Sequence, residues 1–179
     1  MNPASIRLLI YYVLLLVLAV GRLLELKRAR HNQEKLLARG AKEFFPGHYP
    51  WMVMLHGAWF LACGGEAYLR EARAFPWLPG VLCFLVGLGF RLAAMQALKE
   101  RWTTRILVLP REPLVRNGPY RYLRHPNYLG VVLEILGLPL MAGCWVTALT
   151  FTVLNAILLT VRIRDEERAF VLGQVNHGS

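Results

Sequence analysis

Apolar positions in this chain come in long, nearly unbroken runs rather than in the alternating or one-faced patterns of soluble strands and helices. Leu8–Leu26 is the first run, with Arg22 and Glu25 its only charged members. At 1.5 Å per residue it covers a hydrocarbon core of about 30 Å. A polar stretch, 27–49, follows with Lys27, Arg28, Arg30, Lys35, Arg39 and Lys42, and Gly40 is placed to end a helical extension. Pro50 suits a first helical turn and opens the second run, to Leu69, which holds His56 and Glu66. After a short loop with Arg70, Glu71 and Arg73, the run Pro76–Leu98 is broken only by Arg91. Residues 99–126 are polar again, apart from Ile106–Leu109, an apolar run before Pro110 read as lying along the membrane surface. Leu129–Val161 has only Glu134 and Asn155 as strongly polar members. As one straight helix it would be about 50 Å long, too long for a single crossing. Gly137, Pro139 and Gly143 cluster near its middle and predict a helical hairpin turning near Gly143. The predicted spans are 8–26, 50–69, 76–98, 127–143 and 145–162, with a charged helical continuation over 162–170 and a tail. The expected fold is all-α: a polytopic integral membrane protein, a single membrane domain over 1–179 with about five transmembrane helices and a C-terminal hairpin. With no small-residue cleavage site after it, the first run is read as a retained span.

Composition agrees. AVILMFWYC residues make up 56% and charged residues 18%, the latter against about 25% for soluble domains, which excludes a disordered chain, a coiled coil and an ordinary soluble enzyme. The net charge of +10 is carried by cations set between apolar runs, not by one soluble basic face, so no nucleic-acid partner is expected. The cations instead set orientation. With the N-terminus outside, the outside pieces hold only Arg7, Arg70 and Arg73. Arg22 and Arg91 lie within spans, and every other Lys and Arg of the 21 falls inside. Cys63, Cys83 and Cys144 all lie in apolar stretches without paired spacing and read as packing residues, so neither a disulfide framework nor a metal is expected. Arg22 and Glu25, three apart, are expected to form an interfacial ion pair. Ionisable groups within spans are functional suspects, and Arg91, Glu66, His56 and Glu134 qualify, with structural pairing the alternative.

The densest chemistry lies at the hairpin. Asn117-Gly118-Pro119-Tyr120 is a turn signal, and Arg121-Tyr122-Leu123-Arg124-His125-Pro126-Asn127-Tyr128 follows directly. Pro126 disfavours a helical His125 and suits a helix start. Arg124 and His125 are thus placed on irregular backbone at the hairpin mouth, with Tyr128 on its first turn. Antiparallel packing returns Arg162-Ile163-Arg164-Asp165-Glu166-Glu167-Arg168 to the same face, where Arg162 and Glu166, four apart, share a side of the helix. The alternative for each cluster is an interfacial belt of snorkelling charge.

Arg124-His125-Pro126-Asn127-Tyr128 with Glu166-Glu167 resembles the signature of the isoprenylcysteine carboxyl methyltransferase family, related also to phospholipid N-methyltransferases. The likeness runs from about Trp102 to Phe170, through Gly118-Pro119-Tyr120-Arg121, within a signature region of 99–179. Arg22-Leu23-Leu24-Glu25-Leu26 looks more like the small bacterial branch. The resemblance implies an integral membrane methyltransferase using S-adenosylmethionine in a cytosol-facing pocket, with the lipid acceptor entering from the bilayer. Carried over, His125 and Tyr128 contact the cofactor together with Tyr120, and Glu166 or Glu167 helps anchor it. Arg124 and Arg162 face the acceptor and, with Glu166, form the catalytic set. A bacterial inner membrane location, with membrane lipids and a lipophilic acceptor as partners, goes with this.

Methyl transfer is an in-line displacement at a sulfonium, for which exclusion of water and alignment supply most of the acceleration. A carboxylate acceptor is already ionised at neutral pH and can be held bidentately by arginine. A phenol or enol needs a base such as Glu166 or His125. No glycine-rich turn follows a strand, which excludes a Rossmann-type cofactor site. Two rivals remain: a sterol-reductase-like protein binding NADPH, and a non-enzymatic lipid-binding membrane subunit.

Overall fold

The computed structural model describes residues 2–70, 77–110 and 112–175, with side chains to 173. Glu71, Arg73 and Pro76, Arg111, and the tail 176–179 lie outside the described residues. Five helices follow in order: α1 (Pro3–Ala38), α2 (Tyr49–Leu69), α3 (Trp77–Leu98), α4 (Pro126–Met141) and α5 (Trp145–Val175). Among the described residues the protein is all-α apart from one small antiparallel pair, β1 (Lys42–Phe44) with β2 (Ile106–Val108). Among the described residues three helices, α1, α3 and α5, are long and apolar enough to cross a membrane. The apolar α4 is shorter at 16 residues, about 24 Å. Large apolar side chains such as Leu16, Val17, Leu61 and Ile157 stand exposed on the helix surfaces, as lipid contact requires. The chain is an integral membrane protein.

α1 starts where the Ala4 N–H donates to the Asn2 side chain, with Pro3 at its first position. It ends where Gly40 takes a φ of 89° and the Ala41 N–H reaches back to the Leu36 carbonyl at 2.9 Å. Its 36 residues make about 54 Å, so the charged last third runs beyond the apolar core. There Asn32 donates to the carbonyls of Lys99 and Trp102, and Ala29 packs on Met95 and Trp102.

α3 and α4 pack backbone to backbone. Gly80 and Gly87 on α3 face Gly137 and Gly130 on α4. A Cβ added at Gly87 would sit 2.8 Å from the Gly130 carbonyl oxygen, and one at Gly137 would sit 2.5 Å from the Phe84 nitrogen. The seven-residue spacing on both helices fixes an antiparallel register.

The hairpin turns at Gly143, φ 72°. Pro139 has no N–H for the Ile135 carbonyl four residues back. The Trp59 indole N–H donates to that carbonyl instead, at 3.2 Å, and the Tyr11 hydroxyl donates to Leu138 O. These bonds tie α1 and α2 to α4 through the core of Leu15, Cys63, Phe84, Ile135, Leu138 and Cys144. Cys63 and Cys144 thus act as packing residues. Glu66 caps α5 from α2: its carboxylate accepts from the Thr147 N–H at 2.7 Å and the Val146 N–H at 3.3 Å, and also from Arg70.

Two expectations change. The apolar run Ile106–Leu109 contains a strand, Ile106–Val108, paired with β1, and Ile106 is buried. Pairing satisfies backbone groups that an isolated apolar run would leave open. Arg22 and Glu25 do pair, at 2.7 Å, but not as an interfacial couple. Arg22 also meets Glu134 at 2.5 Å, and Arg91 pairs with both Glu25 and Glu134. The register of α3 and α4 brings Arg91 beside Glu134, and the four groups close a neutral, largely buried tetrad.

Candidate functional site

The hairpin mouth opens on a groove of about 700 Å³. Its walls are the 101–109 segment with β2, the 112–116 loop, the turn at Tyr120, the start of α4 and the last turns of α5. Local sequence makes each wall. Gly118, at φ 55°, and Pro119 form a 3-10 turn over Gly118–Arg121 that points Tyr120 inward. His125, at φ −130° and ψ 59°, is non-helical ahead of Pro126, and its carbonyl accepts from the Tyr128 and Leu129 N–H groups to start α4.

All seven expected site residues line this groove: Tyr120, Arg124, His125, Tyr128, Arg162, Glu166 and Glu167. They are not equally engaged. The Tyr128 hydroxyl is the hub on α4: it donates to Glu166 Oε2 at 2.8 Å and accepts from Arg162 Nε at 2.8 Å. The His125 ring stacks on Tyr128, with centroids 5.4 Å apart. Its Nδ1 stands 3.6 Å from Glu166 and its Nε2 3.8 Å from Glu167. Burial and the charge of Glu166 push the Tyr120 hydroxyl's pKa up, which keeps it neutral. Arg124 is 88% exposed and reaches Glu167 only at 3.5 Å.

Arg162 departs from the role expected of it. It is 4% exposed. Its guanidinium already donates to Tyr128, to the Thr104 carbonyl at 2.9 Å, to His48 Nε2 at 3.1 Å and to Met52 Sδ at 3.0 Å. A fork so occupied has little left to hold an acceptor carboxylate bidentately. Arg162 orients Tyr128 instead.

Sequence reasoning missed three participants. His48 lies in a 3-10 turn (Pro46–His48) entered through Phe45, whose φ of 48° is a conformation bulky residues rarely adopt. Asp165 sits 3.5 Å from His48 Nδ1. Asn127, on the groove wall, has its Oδ1 buried without a hydrogen-bond partner among the described residues. Asn127 and Asp165 lay inside the quoted motifs as spacers. Only a lone histidine beside a Pro-Gly turn marked His48.

Charge along the groove is mixed. Arg101, Arg105, Arg116, Arg124 and Arg162 line it together with Glu112, Glu166 and Glu167, and the two adjacent carboxylates of Glu166 and Glu167 stand where it meets the hairpin.

Comparison with known proteins places this geometry. The sequence profile of the isoprenylcysteine carboxyl methyltransferase (ICMT) family matches residues 80–172, more than half of the chain and every motif residue of the mouth. The chain is 38% identical to the uncharacterized protein YpbQ of Bacillus subtilis over 89% of its own length and 95% of that protein's. It is 29% identical to an uncharacterized protein of Haemophilus influenzae over 86% and 90% of the two lengths. No solved structure matches. With α3, the groove segment and the α4–α5 hairpin all inside the matched region, the chain belongs to the isoprenylcysteine carboxyl methyltransferase family, a family of membrane methyltransferases.

Proposed function

We propose that this protein is an S-adenosylmethionine-dependent O-methyltransferase acting on a lipophilic acceptor. In this reading it sits in a bacterial inner membrane, with the N-terminus outside and the groove facing the cytosol. The observation that carries the reading is the groove wall where Glu166 and Glu167 flank the stacked His125 and Tyr128 rings. The residues fit the cofactor's chemistry. Two carboxylates suit its positive charge and sugar hydroxyls, the unpartnered Asn127 oxygen suits an N–H donor, and the ring faces suit a purine. S-adenosylmethionine supplies a methyl group on a sulfonium sulfur.

The chain's own contribution is placement and proton handling. Arg162 and Glu166 pin the Tyr128 hydroxyl from both sides, so that wall is set before anything binds. Apolar side chains at Leu107, Leu109 and Leu114 also line the groove and displace water from an acceptor laid along them. With the Arg162 fork occupied, Glu166 is the group placed to take a proton, which suits a phenolic or pyrone lipid better than a prenylated carboxylate.

Titration of the purified protein in nanodiscs with S-adenosylhomocysteine and with NADPH tests this. The expected result is a Kd in the micromolar range for the first, on the order of −8 kcal/mol, and no uptake of the second. NADPH binding would move the protein to the reductase class, and uptake of neither would leave a lipid-binding subunit. Incubation with methyl-tritiated cofactor and prenylated-cysteine or alkyl-phenol acceptors then separates the substrates.

A further inference from the structure

His48 has no task in the proposed methyl transfer, although it is buried and touches the side chain on which the groove wall hangs. A guanidinium can only donate. At the 3.1 Å contact with Arg162 Nη1, His48 Nε2 must therefore present its lone pair. The ring proton of the neutral imidazole then lies on Nδ1. That nitrogen has no hydrogen-bond partner of good geometry and faces the Asp165 carboxylate at 3.5 Å. A chain of contacts results: Asp165 to His48, His48 to Arg162, Arg162 to Tyr128, Tyr128 to Glu166. It joins the 46–48 turn to α4 and α5, while Met52 from α2 and the Thr104 carbonyl hold two more Arg162 donors.

We propose that His48, kept as the neutral Nδ1–H tautomer by Asp165, is a positioning residue: it holds the Arg162 guanidinium so that Tyr128 and Glu166 stand fixed in the groove wall. The geometry is independent of what the groove binds; its consequence for binding rests on the cofactor reading above.

Protonation would break the arrangement. An imidazolium has no lone pair for Arg162 and would set two positive groups 3.1 Å apart. The charged groups facing His48 are Arg162, Asp165 and Glu166, all from α5; Met52 and Thr104 add none. Burial and the Arg162 charge outweigh the two carboxylates and hold the histidine below its usual pKa. The contact is therefore intact at and above the ordinary histidine pKa of about 6.5 and is lost as pH falls below it.

The tautomer is read directly from imidazole nitrogen resonances of protein labelled with nitrogen-15 histidine in nanodiscs, His48 being assigned by its absence from His48→Gln. At pH 7.5 the expected pattern is a protonated Nδ1 and an unprotonated Nε2. An Nε2–H tautomer or an imidazolium overturns the proposal. Affinity for S-adenosylhomocysteine supplies the second reading. Gln places an amide oxygen where Nε2 stands, so His48→Gln keeps wild-type affinity within about twofold at pH 7.5 and loses the His48 part of the acid decline. His48→Leu loses roughly tenfold. His125, facing Glu166 and Glu167, is the same in both proteins and cancels in the comparison. Equal affinity in wild type and His48→Leu, or an acid decline unchanged in His48→Gln, overturns the proposal. Should His48→Leu not fold, the Gln profile and the tautomer still decide. Should the wild type take up no S-adenosylhomocysteine, the cofactor reading fails while the tautomer still decides for His48.

Discussion

Two clusters of charge share α4, and they are built to opposite ends. Glu134 lies six residues beyond Tyr128, about 9 Å along the helix axis. Around Glu134, two arginines meet two glutamates in all four pairings, and the charges cancel. Around Tyr128, Arg162 and Glu166 hold the hydroxyl from two sides, Glu167 stands beside them, and the cluster opens on the groove. Ionisable groups at membrane depth invite a functional reading at both places. The difference shows that buried charge alone is not the signal. Access to a groove is. The tetrad clamps α1 to α3 and α4, whereas the mouth keeps its carboxylates available.

Breaking the tetrad gives the largest expected effect. Glu134→Leu leaves Arg22 and Arg91 sharing one carboxylate. Removing one member of a buried charge set costs about 3–5 kcal/mol. We expect a fall in melting temperature in nanodiscs large enough to cut the yield of folded protein, while the molecules that fold keep wild-type affinity for S-adenosylhomocysteine. Substituting Arg91→Met together with Glu134→Leu leaves the Arg22–Glu25 pair intact and recovers much of the loss. Melting temperatures of the single and double variants, measured side by side, check this; an additive result would dissolve the tetrad as a unit.

Gly130→Ala sharpens the same comparison at a smaller scale. The added Cβ would lie 2.6 Å from Arg91 Cγ and 2.7 Å from the Gly87 carbonyl oxygen. Overpacking of this kind costs about 1–3 kcal/mol. It pushes Arg91 off Glu134 but leaves the mouth alone, so stability drops and cofactor affinity does not.

Glu166→Gln acts on the other cluster and is expected to invert the pattern. The amide still accepts from Tyr128 but cannot take a proton or balance a cation. We expect kcat/KM on a confirmed acceptor to fall at least about tenfold, or ~1.4 kcal/mol, with no matching change in melting temperature. A variant that loses stability but keeps its turnover would make the mouth a second structural clamp.

How far each cluster could be read in advance follows from sequence distance. The mouth was legible because its parts are two short contiguous motifs, and one hairpin brings them to the same face. The helix ends at Gly40, Pro50 and Gly143 were legible because each turns on one residue's backbone. The tetrad was not. The partnership of Arg91 with Glu134 depends on how α3 slides along α4, and that register is set by Gly80 and Gly87 against Gly130 and Gly137. The spacing stands in the chain, but nothing local says which two stripes face. β1 escaped because Lys42-Glu43-Phe44 has no apolar alternation and forms only by pairing with β2. His48 escaped because a strained turn at Phe45, not a motif, brings it to Arg162. The role expected of Arg162 failed for a similar reason: spacing shows which face of a helix carries a guanidinium, not how many of its donors are already taken.

The smallest effect is expected at Arg124. It belongs to the matched motif and lines the groove, yet its side chain is 88% exposed and its contact with Glu167 is 3.5 Å long. Glu167 is itself more than half exposed. Exposed pairs of this kind contribute about 0–1 kcal/mol and weaken with salt. Arg124→Ala should leave the melting temperature unchanged and frees Glu167 to face the groove. Affinity for S-adenosylhomocysteine should therefore stay within about twofold of wild type at low salt, and converge with it at 1 M salt, where the Debye length is about 3 Å. Turnover is the sharper measurement. If Arg124 steers or holds an anionic acceptor, Arg124→Ala raises KM for that acceptor with kcat intact, and the increase shrinks with salt. If kcat itself falls tenfold at saturating acceptor, the arginine enters the transition state in spite of its exposure, and the line drawn between the fixed inner wall and the solvent-facing rim would have to move outward to include it.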